Sequence, residues 1–209
     1  MGIQCCGVQM YIADDPKLLF VHIPKTGGSA VRDLLSGMGL IRLGERHNAL
    51  SSIDNPEIYK DHFCFTVIRN PYNRLISMYR FNRVYAMMDP PKFVRRWGDV
   101  PIEETPLRSF YTFVKDRATR PIPITQVDFI RHDTLNCEPF KYENGAHALL
   151  QRRFNLPKPA SRDADTHYLG DYPKPQFCDQ AGLDFISEHC AEDFHVFGYE
   201  RVSRLEQLG

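Results

Sequence analysis

The chain has 209 residues, 43% of them hydrophobic, and its 26 basic and 26 acidic side chains cancel to zero formal charge. That length suits one substantial domain that buries roughly 70% of its unfolded surface, and it excludes a disordered tail or a miniprotein held by staples. A neutral balance also removes the global attraction expected of a general nucleic-acid binder, so any anion site must be local.

The charge is unevenly spread. From Arg69 to Arg120 nine Arg and two Lys face five carboxylates, a local excess of +6, whereas from Asp179 onward two Arg face seven carboxylates, a local excess of −5. An acidic ligand belongs with the middle segment, although a solvated basic face reads the same way on charge alone. The six cysteines, Cys5, Cys6, Cys64, Cys137, Cys178 and Cys190, form no C-x-x-C pair, so no zinc site is expected. No apolar run is long enough to cross a membrane and no signal-peptide layout opens the chain, so the expected setting is cytoplasmic with reduced thiols.

The first clear element in chain order is the apolar run Leu18 to Ile23, which predicts a strand ending at Pro24. Ser29 to Met38 follows as a helix, with Val31, Leu34 and Leu35 on one face and Gly37 and Gly39 at its end. Phe63 to Ile68 predicts a second strand. Asn70-Pro71 then opens a helix running to about Ala86, with an N-cap residue and a proline at the first helical position. Further along, Arg108 to Arg117 reads as a helix, Val127 to Ile130 as a third strand, Phe140 to Phe154 as a helix, and Gln176 to Phe194 as one amphipathic helix. Strands alternating with helices predict an α/β domain with a parallel sheet covered on both faces.

Two segments carry chemistry. The turn Pro24-Lys25-Thr26-Gly27-Gly28-Ser29 leaves the first strand, where α/β sheets place ligands. Its glycines let backbone amides approach an anion, the following helix directs its positive end there, and Lys25 adds a full charge. An ordinary strand-to-helix turn with an exposed lysine remains the alternative, and the lysine stands before the glycines rather than after them as a Walker A loop requires. At the second strand, Arg69 ends the run. The next helix sets Asn73, Arg74, Ser77 and Arg80 on a polar face opposite Tyr72, Leu75, Ile76 and Tyr79. A guanidinium fork plus a hydroxyl suits a second phosphate, although a strand-end salt bridge would use Arg69 equally well.

Together the segments resemble a known family. Phe20 to Ser29 is similar to the 5′-phosphosulfate loop of sulfotransferases, and Val67 to Ser77 resembles their 3′-phosphate motif, including the eight-residue step from Arg69 to Ser77. The likeness is nearest to the branch that sulfates carbohydrates, Golgi-type or bacterial, and continues more weakly through Phe129-Ile130 and Asp193 to Glu200. It implies a single sulfotransferase domain over residues 1–209, with an α/β, P-loop-like three-layer fold whose central, mostly parallel sheet is flanked by helices. It also implies a donor, 3′-phosphoadenosine 5′-phosphosulfate (PAPS), and no metal. By the motif match Lys25, Thr26, Gly27, Gly28, Ser29 and Ala30 would hold the 5′ end of PAPS, and Arg69 and Ser77 the 3′-phosphate. The segment Asn155 to Tyr168 stands where the family carries a loop over the nucleotide.

Sulfuryl transfer asks for in-line positioning and for stabilisation of charge on the departing phosphate oxygen. Lys25 is the expected agent of that stabilisation, and a hydroxyl acceptor calls for a general base. His47, in the polar stretch between the motifs where related enzymes carry their base, is the favoured residue, with Glu45 and then His62 in reserve. His22 reads as a packed or loop-supporting residue. The expected acceptor is a glycan or glycoconjugate, with no nucleic-acid partner. Arg95, Arg96, Lys115, Arg117 and Arg120, with Phe93, Trp97, Phe110, Tyr111 and Phe113, would line a groove for an acidic sugar or form an ordinary amphipathic face. Competing readings are a noncatalytic nucleotide- or glycan-binding protein on the same scaffold and a P-loop kinase, the latter disfavoured by the position of Lys25.

Overall fold

Runs of β-branched and aromatic residues bounded by Pro, Gly and Asp build a five-stranded sheet. The computed structural model describes residues 9–43, 49–102, 104–117, 124–156 and 177–208. These fall into two compact units, Met1–Asn70 with Gln126–Arg162, and Pro71–Thr125 with Asp163–Gly209.

The first unit holds the sheet, with strands β1 (Gln9–Asp14), β2 (Lys17–His22), β3 (Ile41–Leu43), β4 (Phe63–Ile68) and β5 (Glu138–Lys141) in the order β3-β1-β2-β4-β5. β2, β4 and β5 run parallel, while β1 pairs antiparallel with both β2 and β3. The sheet is therefore mixed, a correction to the mostly parallel expectation. The cause is the two-residue turn Asp15-Pro16, which folds β1 back onto β2 as a hairpin, with Asp14 opposite Lys17. Phe20 and Phe65 are fully buried at neighbouring register positions and stack with ring centroids 5.1 Å apart. Helices α1 (Gly28–Leu34) and α6 (Ala146–Arg153) supply Val31, Leu34, Ala146 and Leu150 to the same core, joined by Leu35 at the end of α1. Burying each large apolar side chain stabilises the unit by about 1.5–3 kcal/mol.

Three further expectations need correction here. Val127 to Ile130 forms a single helical turn, α5 (Val127–Ile130), not a strand. The third parallel strand is β5, which runs from Glu138 through Pro139 and Phe140 to Lys141. A proline is tolerated there because, among the described residues, β5 is the sheet's edge and pairs only with β4. Phe140 to Phe154 is therefore not one helix: Gly145, at φ 72°, separates a 3₁₀ turn at Tyr142–Asn144 from α6. The first helix also stops early, at Leu34, and gives way to a 3₁₀ turn at Ser36–Met38.

The second unit is helical, with α2 (Pro71–Met88), α3 (Pro90–Trp97), α4 (Leu107–Arg117), α7 (Gln180–His189) and α8 (Ala191–Phe197). Asp179 caps α7 by accepting from the Gly182 amide at 2.8 Å. The expected single C-terminal helix is two helices broken at Cys190, which is non-helical at φ −103° and ψ 21°. α2 buries Tyr72, Leu75, Ile76 and Tyr79 as its periodicity predicts, but it also buries Arg74, which therefore leaves the solvated polar face. Phe93, Trp97, Phe110 and Tyr111 are core residues rather than the lining of a groove. Trp97 donates its indole N–H to Asn82 at 2.8 Å, and the Tyr111 hydroxyl donates to the Leu75 carbonyl at 2.8 Å. Burial of these rings is favourable because each polar tip has a partner. Among the described residues, no helix is long and apolar enough to cross a membrane.

Candidate active site

Parallel pairing of β2 with β4 brings their carboxyl ends side by side, and both sequence motifs of the first unit begin there. After β2 the chain passes through a tight loop in which Lys25 (φ 69°) and Gly27 (φ 88°) are both left-handed. A non-glycine residue holds that conformation at a cost of about 1–3 kcal/mol, so the surroundings must impose it on Lys25. Thr26, fully buried, ties the loop by donating its hydroxyl to the Ile23 carbonyl at 2.9 Å.

Both glycines are needed for space. A Cβ at Gly27 would lie 2.9 Å from the Tyr142 ring, and one at Gly28 would lie 2.0 Å from Cδ2 of His22. His22 supports the loop from beneath, as expected, with its ring stacked on Phe20 at 5.9 Å. Burial, reinforced by the charges of Arg32 and Lys25, lowers its pKa to about 4, so the imidazole stays neutral at physiological pH. A Gly28→Ala variant forces either ring or loop to move and is expected to lose about 1–3 kcal/mol by overpacking. Denaturant unfolding checks this: the double variant Gly28→Ala/His22→Ala should lose less than the sum of the two singles, and unchanged stability in Gly28→Ala would contradict the packing argument.

The Gly27 carbonyl accepts from the amides of Ala30 (3.0 Å) and Val31 (3.4 Å) and lies 3.1 Å from Nε2 of His147. A carbonyl only accepts, so Nε2 carries the proton in that contact. Arg69, just past β4, reaches the same loop: its Nη1 donates to the Lys25 carbonyl at 3.3 Å, and its guanidinium lies 5.0 Å from the centroid of the Tyr142 ring. Its Nε is buried without a hydrogen-bond partner among the described residues. The Arg69 backbone is held by the Gln126 side chain at both N–H and C=O, each at 2.8 Å, and the Asn70 amide donates to Glu143 at 2.8 Å.

The first unit thus gathers Lys25, Thr26, Gly27, Gly28 and Arg69 at the carboxyl ends of β2 and β4, with Ser29 and Ala30 exposed in the first turn of α1. Ser77 is half-buried on α2, in the second unit. His47 and Glu45 lie outside the described residues, as does most of the Asn155 to Tyr168 segment. His62 precedes Phe63, at the end of β4 remote from Arg69, roughly 20 Å away for a six-residue strand, so it cannot serve at the loop. His132 accepts from the Thr134 and Leu135 amides, and His189 stacks on Phe185, so both have structural roles. Gln126, Tyr142 and Glu143 went unread in the sequence, where nothing marks them: their contacts span 57 to 73 residues.

Residues 8–144 match the sulfotransferase family. The chain belongs to that family. No curated protein and no solved structure matches it. The matched stretch of this sulfotransferase-family protein covers all five strands, the Lys25 loop, Arg69, Ser77, Gln126, Tyr142 and Glu143. No group of three or more metal-ligating side chains occurs among the described residues.

Proposed function

We propose that the protein, as a single sulfotransferase domain, transfers a sulfuryl group from PAPS to a hydroxyl of a glycan or glycoconjugate. The observation that carries this reading is the convergence of Arg69 on the Lys25 loop, with a buried guanidinium Nε that has no hydrogen-bond partner among the described residues. An orphaned buried N–H beside a glycine loop is a donor suited to an anion. The Lys25–Ala30 loop is assigned the 5′ end of the donor and Arg69 its 3′-phosphate, and the motif match assigns Ser77 to that phosphate as well. Lys25 neutralises charge that grows on the leaving phosphate oxygen, which is worth most in the transition state. His47 is assigned to take the acceptor's proton.

Calorimetry with 3′-phosphoadenosine 5′-phosphate, the desulfated donor, tests the reading. Binding without metal is expected, and Arg69→Ala should weaken it by about 1.5–3 kcal/mol, the range for hydrogen bonds to charged groups. Equal wild-type affinity for nucleotides with and without the 3′-phosphate would contradict it. For the base, His47→Ala should keep nucleotide affinity and lose about 10²-fold or more in rate. Undiminished turnover in that variant would move the assignment to Glu45.

A further inference from the structure

Arg69 lies one residue beyond β4, where the strand ladder has run out: the pairing with β5 ends at Ile68 and that with β2 at Thr66. A backbone N–H and C=O at such a place need partners from elsewhere. Both come from one side chain. Gln126, fully buried just ahead of α5, accepts from the Arg69 N–H through Oε1 and donates to the Arg69 carbonyl through Nε2, each at 2.8 Å. The amide thereby acts as one rung of a β-ladder, with its two ends oriented by the donor and acceptor they meet. Such a two-point clamp sets the position and direction of the Arg69 Cα–Cβ bond, from which the guanidinium reaches the Lys25 carbonyl and the Tyr142 ring.

Resting on the PAPS reading above, we propose that Gln126 is the positioning residue for 3′-phosphate recognition: it touches no ligand and acts by holding the Arg69 backbone. A guanidinium fork pairs bidentately only from a narrow range of directions, so a small shift of its anchor loses much of the pairing. Residues that only stabilise the fold would weaken all nucleotide binding alike, whereas Gln126 should act on the 3′-phosphate alone.

The test compares calorimetric Kd values for 3′-phosphoadenosine 5′-phosphate and adenosine 5′-monophosphate in the wild type, Gln126→Glu and Gln126→Asn. Glu keeps the shape but cannot donate to the Arg69 carbonyl when ionised, and Asn keeps the chemistry but falls one methylene short. In both, the wild-type preference for the 3′-phosphorylated nucleotide should shrink about tenfold or more, the lower end expected for a charge-assisted contact, with affinity for the monophosphate retained. Equal weakening of both nucleotides, or an unchanged preference, would overturn the positioning role. A wild type with no preference would instead overturn the donor reading, and the proposal with it. Should both variants fail to fold, hydrogen exchange on the unmodified protein decides the clamp: the Arg69 amide should be protected although it lies beyond the strand ladder, and exchange at the rate of an open loop would overturn it.

Discussion

Replacing Lys25 by glycine is expected to lower sulfuryl-transfer turnover by about 10²–10³-fold, the scale for losing one preorganised stabiliser of developing charge. Glycine is the informative substitution because Lys25 sits at φ 69°, where an L side chain is strained and glycine is not. The variant therefore removes the ammonium while leaving the loop free to keep its course. Thr26 still ties to Ile23, and the Lys25 carbonyl that receives Arg69 is backbone and survives the change. If the ammonium acts on the leaving oxygen, turnover at saturating donor falls further than donor affinity does. Steady-state kinetics with product-binding calorimetry separate the two, and a variant that lost affinity but kept its turnover would refute the catalytic role.

The largest effect on stability is expected at Arg74. Its side chain is 1% exposed, donates to the Ile124 carbonyl, and shares its surroundings with the fully buried Asp193 carboxylate. Burial pushes the guanidinium's pKa down, and Asp193, then Cys190 and Tyr111, oppose that shift. Arg74→Met should fit the apolar space of the second unit but leaves Asp193 buried without the charge that faces it, a loss of about 3–5 kcal/mol. Arg74→Met combined with Asp193→Leu should be milder than the sum of the two singles, because the double variant buries no uncompensated charge. Chemical denaturation of the four proteins measures this, and strictly additive losses would show that the two groups do not interact.

The motif-bearing segments were legible because their signals are local. An apolar run ending at Pro24, paired glycines at positions 27 and 28, and Asn70-Pro71 after Phe63 to Ile68 each act within a few residues, and β2, α1, β4 and α2 lie close to where they indicate. Glycine at 27 and 28 also reflects a need for space, but the groups that impose it, Tyr142 and His22, are visible only in the fold. Where short-range signals conflict with long-range pairing, the tertiary structure decides. The short segment Val127–Ile130, three apolar residues around Asp128, suits a strand or a helical turn equally. It folds as a turn beside a glutamine committed to the Arg69 backbone, while Glu138–Lys141, with its proline and charges, becomes a strand because β4 offers it an edge. Helical periodicity alone set Arg74 on a polar face. Ile124 and Asp193 reversed that assignment, because a buried guanidinium is tolerated where an acceptor and an opposite charge are built around it, and neither is near it in sequence.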